Sequence, residues 1–101
     1  MSTYQMQDGT IVKTENATQS WEEATRWDGN NHISRATGSQ WDHQRLYCSR
    51  KGRYWLECWS QWQGSTPHAS WVSEHTAAQW LLNNGKELPD DLEKLRGEVE
   101  E

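Results

Sequence analysis

The fold is decided by Trp41-Asp42-His43-Gln44-Arg45-Leu46-Tyr47-Cys48-Ser49-Arg50-Lys51-Gly52-Arg53-Tyr54-Trp55-Leu56-Glu57-Cys58-Trp59-Ser60-Gln61-Trp62. Two aromatic-rich runs, 41–49 and 53–62, flank Arg50-Lys51-Gly52. Glycine at the third loop position suits a type I turn closed by a G1 bulge, because that position needs a positive φ. This loop sets a hairpin register with Ser49 opposite Arg53, Tyr47 opposite Trp55, Arg45 opposite Glu57 and His43 opposite Trp59. Alternation then puts Leu46, Cys48, Tyr54, Leu56, Cys58 and Trp62 on one face. The other face carries Trp41, His43, Arg45, Tyr47, Trp55, Glu57 and Trp59. Opposite charges meet across the strands and aromatic meets aromatic, which are favourable cross-strand pairs. A slip of one residue would set Leu46 opposite Glu57 and mix the faces.

The register has a chemical corollary. Cys48 lies opposite Tyr54, four residues from Cys58, so the two cysteine backbones are about 14 Å apart at about 3.4 Å per residue. A disulfide needs a Cα separation under about 7 Å, so two free thiols are expected. The polar first residues show no secretory signal, and with two cysteines expected as free thiols a cytoplasmic location is expected.

Downstream, residues 69–72 read as a third strand. Ser73 caps a helix over 74–84, with Glu74 near the positive end of its dipole. Ala78, Leu81 and Leu82 form the buried stripe, with Ala77 and Trp80 at its edges. Asn84-Gly85 supplies the C-terminal cap. Leu88-Pro89 opens a last short helix whose Leu92 and Leu95 dock on the body. Upstream the signals are weaker. Residues 10–14 read as a short strand. Ser20-Trp21-Glu22-Glu23 has the form of a capping box, and Trp21, Ala24 and Trp27 follow at helical spacing, which predicts a helix over 21–27. The alternation of the same residues also fits a strand. Asp28-Gly29-Asn30-Asn31 is a turn, and residues 32–37 read as a strand.

The expected fold class is therefore α+β: a small antiparallel sheet, a three-stranded meander open to extension by N-terminal strands, with a C-terminal helix packed on one face. The expected organisation is a flexible tail at 1–9, one α+β domain at 10–96 and a frayed acidic tail at 97–101.

Composition fits one small domain with an unusual core. The 101 residues include only 12 Ile, Leu and Val and no Phe, but eight Trp. Such a chain is neither a coiled coil nor collagen-like, and no membrane association is expected. The net charge of −5 is uneven. Residues 86–101 hold seven acidic and three basic residues, whereas residues 1–85 are nearly balanced. Within the balanced part, Arg45, Arg50, Lys51 and Arg53 fall in nine residues.

The second sheet face and this basic cluster form the candidate binding surface: Trp41, Arg45, Tyr47, Arg50, Lys51, Arg53, Trp55 and Trp59. The plainest expectation is that the N-terminal segment covers the face, with Trp21 and Trp27 filling the gap. The favoured functional reading is a non-enzymatic protein-interaction module, self-associating or binding a protein partner through the Trp-rich face, since Trp, Tyr and Arg dominate interface hot spots. The alternative is a nucleic-acid-binding or regulatory protein that uses the basic hairpin, since stacking aromatics beside cations bind single strands. A third reading is a small ribonuclease-like enzyme centred on His43. No catalytic set, metal-ligand spacing, phosphate loop or cofactor motif is found, so no catalytic residue, metal or cofactor is assigned.

The segments 51–57, 59–65 and 78–82 give a further clue, in Lys51-Gly52-Arg53-Tyr54-Trp55-Leu56-Glu57, Trp59-Ser60-Gln61-Trp62-Gln63-Gly64-Ser65 and Ala78-Gln79-Trp80-Leu81-Leu82. Over residues 40–90 the chain resembles small bacterial proteins of unknown function built from a hairpin and a following Ala-rich helix. The resemblance implies no activity, cofactor or catalytic residue.

Overall fold

Antiparallel pairing organises most of the chain in the computed structural model, which describes residues 2–61, 64 and 66–99. The elements are β1 (Thr3–Gln5), β2 (Ile11–Lys13), a 3-10 turn (Thr14–Asn16), β3 (Gln19–Glu22), β4 (Thr25–Trp27) and β5 (His32–Ser34). They continue with β6 (Asp42–Cys48), β7 (Tyr54–Ser60), β8 (His68–Val72), α1 (Glu74–Asn83), α2 (Asp90–Glu93) and α3 (Arg96–Val99). The main sheet has four strands in the order β3-β6-β7-β8, and β1-β2 and β4-β5 form separate two-stranded sheets.

The central hairpin has the expected register: Arg45 faces Glu57, Tyr47 faces Trp55 and His43 faces Trp59. Ser49 donates its amide to the Arg53 carbonyl at 2.7 Å, and Gly52 takes the positive φ of 81° that the turn requires. Both cysteines are free. Trp62 and part of the following loop lie outside the described residues.

The two faces of the sheet carry separate cores. Leu46, Cys48, Tyr54 and Leu56 pack with Ala77, Ala78, Trp80 and Leu81 of α1 and with Leu88 and Leu92. Ser73 caps α1 by accepting the Thr76 amide at 3.0 Å. At the other end Lys86 donates to the Leu81 carbonyl and Gly85, at φ 70°, to that of Leu82, a Schellman cap. Trp80 sits inside the core, at 8% exposure, and Leu82 is only partly buried, so the helix is rotated slightly from the expected stripe. The reason is a partner for the indole: Trp80 Nε1 donates to Gln44 Oε1 at 3.0 Å. The opposite core contains Met6, Val12, Tyr47 and Trp55, with Tyr4, Ala17, Ala69 and Trp71 packed against it.

The meander is extended by one N-terminal strand, β3, and the short helix expected after Leu88-Pro89 forms as α2, with α3 beyond it, so the helix packed on the sheet is not the last element. Two expectations are corrected. The helix expected over 21–27 is absent; β3 and β4 occupy that segment. The acids of the apparent capping box bond elsewhere: Glu22 accepts from Arg45 at 3.1 Å, and Glu23 accepts the Gln44 amide at 2.6 Å. The strand expected over 32–37 stops at Ser34, whose hydroxyl accepts the Ala36 and Thr37 amides and turns the chain.

The N-terminal segment does cover the aromatic face, but not with the indoles expected. Thr3–Gln5, within the segment read as a tail, pair with β2 and bring Tyr4 and Met6 over the face. Trp21 lies on the opposite face, where its ring stacks on Tyr54 with centroids 6.2 Å apart. Trp27 is 61% exposed beside His32.

Candidate functional site

The β6–β7 turn and the β1–β2 hairpin leave a recess of about 500 Å³ between them. Its floor is apolar. Trp55 and Trp71 are cross-strand partners on one face of the sheet, and Ile11, Val12 and Ala17 complete the lining. Its rim is cationic, with Lys13 from β2, Arg50 and Lys51 from the turn, and Arg53 just after it. No acidic residue lines it among the described residues.

The four cations are not equivalent. Arg53 lies over the Trp71 ring, its guanidinium carbon 3.7 Å from the centroid, and is 3.6 Å from Asp8. Asp8 also accepts from Trp71 Nε1 at 3.2 Å and from the Thr10 amide at 3.0 Å. The Thr10 amide, above all, holds the Asp8 carboxyl down at about 2. The charge of Arg53 is thus balanced. Arg50 bonds the neutral Asn16 amide oxygen, at 3.0 Å, and no acid among the described residues. Lys13 and Lys51 form no ion pair or side-chain hydrogen bond among the described residues. Among the described residues, three positive charges therefore face the recess without a counter-charge.

The remaining candidate residues lie elsewhere. Arg45, Tyr47 and Trp59 surround Glu57, a carboxylate 7% exposed. Tyr4 donates its hydroxyl to Glu57 Oε2 at 2.5 Å and Tyr47 to Oε1 at 3.1 Å. Arg45 bridges the group, with one nitrogen 4.0 Å from Glu57, another bonding Glu22, and its guanidinium carbon 5.4 Å from the Trp59 ring centroid. A buried carboxylate needs such partners, and both phenols respond. Burial first, and the Glu57 hydrogen bond second, push the Tyr4 hydroxyl up to about 12. Burial likewise raises Tyr47, against the lowering effect of Arg45. The Arg45 guanidinium is raised, chiefly by its bond to Tyr47. This network fastens the N-terminal hairpin to the sheet.

Trp41 stands at the mouth of β6, 39% exposed and apart from the recess. His43 is oriented by Glu23, with Nδ1 to Oε2 at 2.8 Å, and stacks on Trp59. Its Nε2 is buried and has no hydrogen-bond partner among the described residues. Burial raises the Cys58 thiol, which suppresses the reactive thiolate. No group of three or more His, Cys, Asp or Glu among the described residues could hold a metal ion. No described helix is long and apolar enough to cross a membrane.

The structure thus divides the eight sequence-derived candidates. It gathers Arg50, Lys51, Arg53 and Trp55 at one recess and assigns Arg45, Tyr47 and Trp59 to the network around Glu57. Lys13 and Trp71 were missed. Neither has a local signal, because β2 and β8 are brought to the turn only by long-range pairing and packing. No protein-family model, curated protein or solved structure matches this chain.

Proposed function

We propose that this chain is a non-enzymatic protein-interaction module that takes an acidic segment of a partner protein in the recess beside the β6–β7 turn. The observation that carries this reading is the set of three uncompensated cations, Lys13, Arg50 and Lys51, above an apolar floor. The cations select an anion, and the floor favours an apolar side chain next to it.

Phosphates would satisfy the same rim, which is the basis of the nucleic-acid alternative. Base stacking separates the two. Single strands are held by open aromatic faces. Here Trp55 is 1% exposed, and the Trp71 ring carries the Arg53 guanidinium. The net charge of −5 also opposes a polyanion at long range.

Titration of the full chain with poly-glutamate and with oligo-dT, followed by the indole N–H resonance of Trp71, tests the reading. Poly-glutamate should bind the more tightly, and Lys13→Glu/Lys51→Glu should weaken it by about tenfold or more. Tighter binding of oligo-dT, lost in the same variant, would install the nucleic-acid alternative. A resonance that moves with neither ligand would overturn both.

A further inference from the structure

Resting on the recess reading above, we propose that the occupant is residues 98–101 of a second copy of this chain, so that the protein self-associates by tail-to-recess contacts. Glu98-Val99-Glu100-Glu101 sets three carboxylates around one aliphatic residue. That composition complements three uncompensated cations over an apolar floor. Residues 86–101 carry seven acidic residues against three basic, so the strongest negative charge in the sequence lies at the opposite end from β2. Glu98 is exposed on α3.

Closure within one copy is opposed by geometry. α3 contacts α1, and α1 packs on the Leu46 and Leu56 face of the sheet. The recess opens on the other face, over Trp55 and Trp71. α3 and the recess thus belong to opposite faces of the sheet, which favours the recess of another copy. Between two copies the contact can be made twice, each tail in the other's recess, which closes a symmetric dimer.

The test is sedimentation of the full chain over a range of concentrations. Association should appear at low salt and be lost at about 1 M salt, where the screening length is about 3 Å. Lys13→Glu/Lys51→Glu should weaken it by about tenfold or more, and so should Glu98→Gln/Glu100→Gln/Glu101→Gln. Mixing the two variants restores one intact recess and one intact tail, so the mixture should associate where neither variant does alone. That result also shows that both variants are folded. A mixture that stays monomeric, or association indifferent to both sets of changes, overturns the proposal. A chain monomeric at every concentration, whose glutamine variant still binds a peptide of residues 96–101, overturns the second copy as occupant and leaves the recess reading standing. Failure of that peptide and of poly-glutamate alike removes both.

Discussion

The two faces of the β3-β6-β7-β8 sheet are held down by different chemistry. On the helix face, Leu46, Leu56, Ala77, Ala78 and Leu81 meet as close-packed apolar groups, and the buried Trp80 indole N–H finds Gln44. On the hairpin face, the cover is a short two-stranded sheet that adds Met6 and Val12 to a smaller apolar cluster and is tied down by polar groups: Tyr4 on Glu57, Gln7 on the Trp71 backbone and Asp8 on the Trp71 indole. The contrast teaches where cooperativity should lie. Removing apolar volume from the first face weakens the whole fold. Removing polar partners from the second should release the cover first.

The strongest way to break this contrast is Leu81→Ala. Leu81 is fully buried against β6 and β7, and such truncations cost about 2–5 kcal/mol. Chemical denaturation should show one transition shifted as a whole; a loss confined to β1 and β2 would reverse the roles of the faces. Next is Glu57→Ala, which leaves the Tyr4 and Tyr47 phenols without their acceptor, at about 1–3 kcal/mol. Hydrogen exchange should speed up in β1 and β2 before β6 and β7. Equal acceleration in all four strands would show that the cover is not a separable layer. Gly52→Ala should cost about 1 kcal/mol through its left-handed backbone alone, since open space surrounds a Cβ there. Thermal melting reads this change, which should spare the recess cations.

The smallest expected effect is pH-dependent. Tyr4 is raised from its ordinary value near 10 to about 12 in the fold. Above pH 10 the unfolded chain gives up this proton while the folded chain keeps it. The contribution of Tyr4 is therefore complete below pH 10 and disappears as pH rises through 12. Wild type should lose stability faster than Tyr4→Phe across this window. Parallel curves would detach Tyr4 from the latch on Glu57.

The sequence exposed some of these elements and hid others for identifiable reasons. The central hairpin was legible because its information is local: Gly52 sets the turn, and Arg45 with Glu57 and Tyr47 with Trp55 confirm the register. The helix was legible from Ser73 and Gly85. Residues 20–27 misled because Ser20 and Glu23 imitate a helix start, while the decisive partners of Glu22 and Glu23 are Arg45, His43 and the Gln44 amide, about twenty positions away. Strand preference depends on such neighbours, which no short window contains. The recess was half legible on the same principle. Arg50, Lys51, Arg53 and Trp55 share one hairpin, but Lys13 and Trp71 arrive on other strands.

Gln7 carries one last consequence. Its side-chain amide donates to the Trp71 carbonyl at 3.3 Å and accepts the Trp71 amide at 3.0 Å, completing on β8 the pair of bonds another strand would make. A single side chain thus occupies the outer edge of β8 at Trp71, while β3 at the other end has a strand neighbour on one side only. As a template for cross-β growth the β8 edge is interrupted at that position. Any fibril seeded from the folded chain should extend more readily from β3, and Gln7→Ala should speed growth from β8.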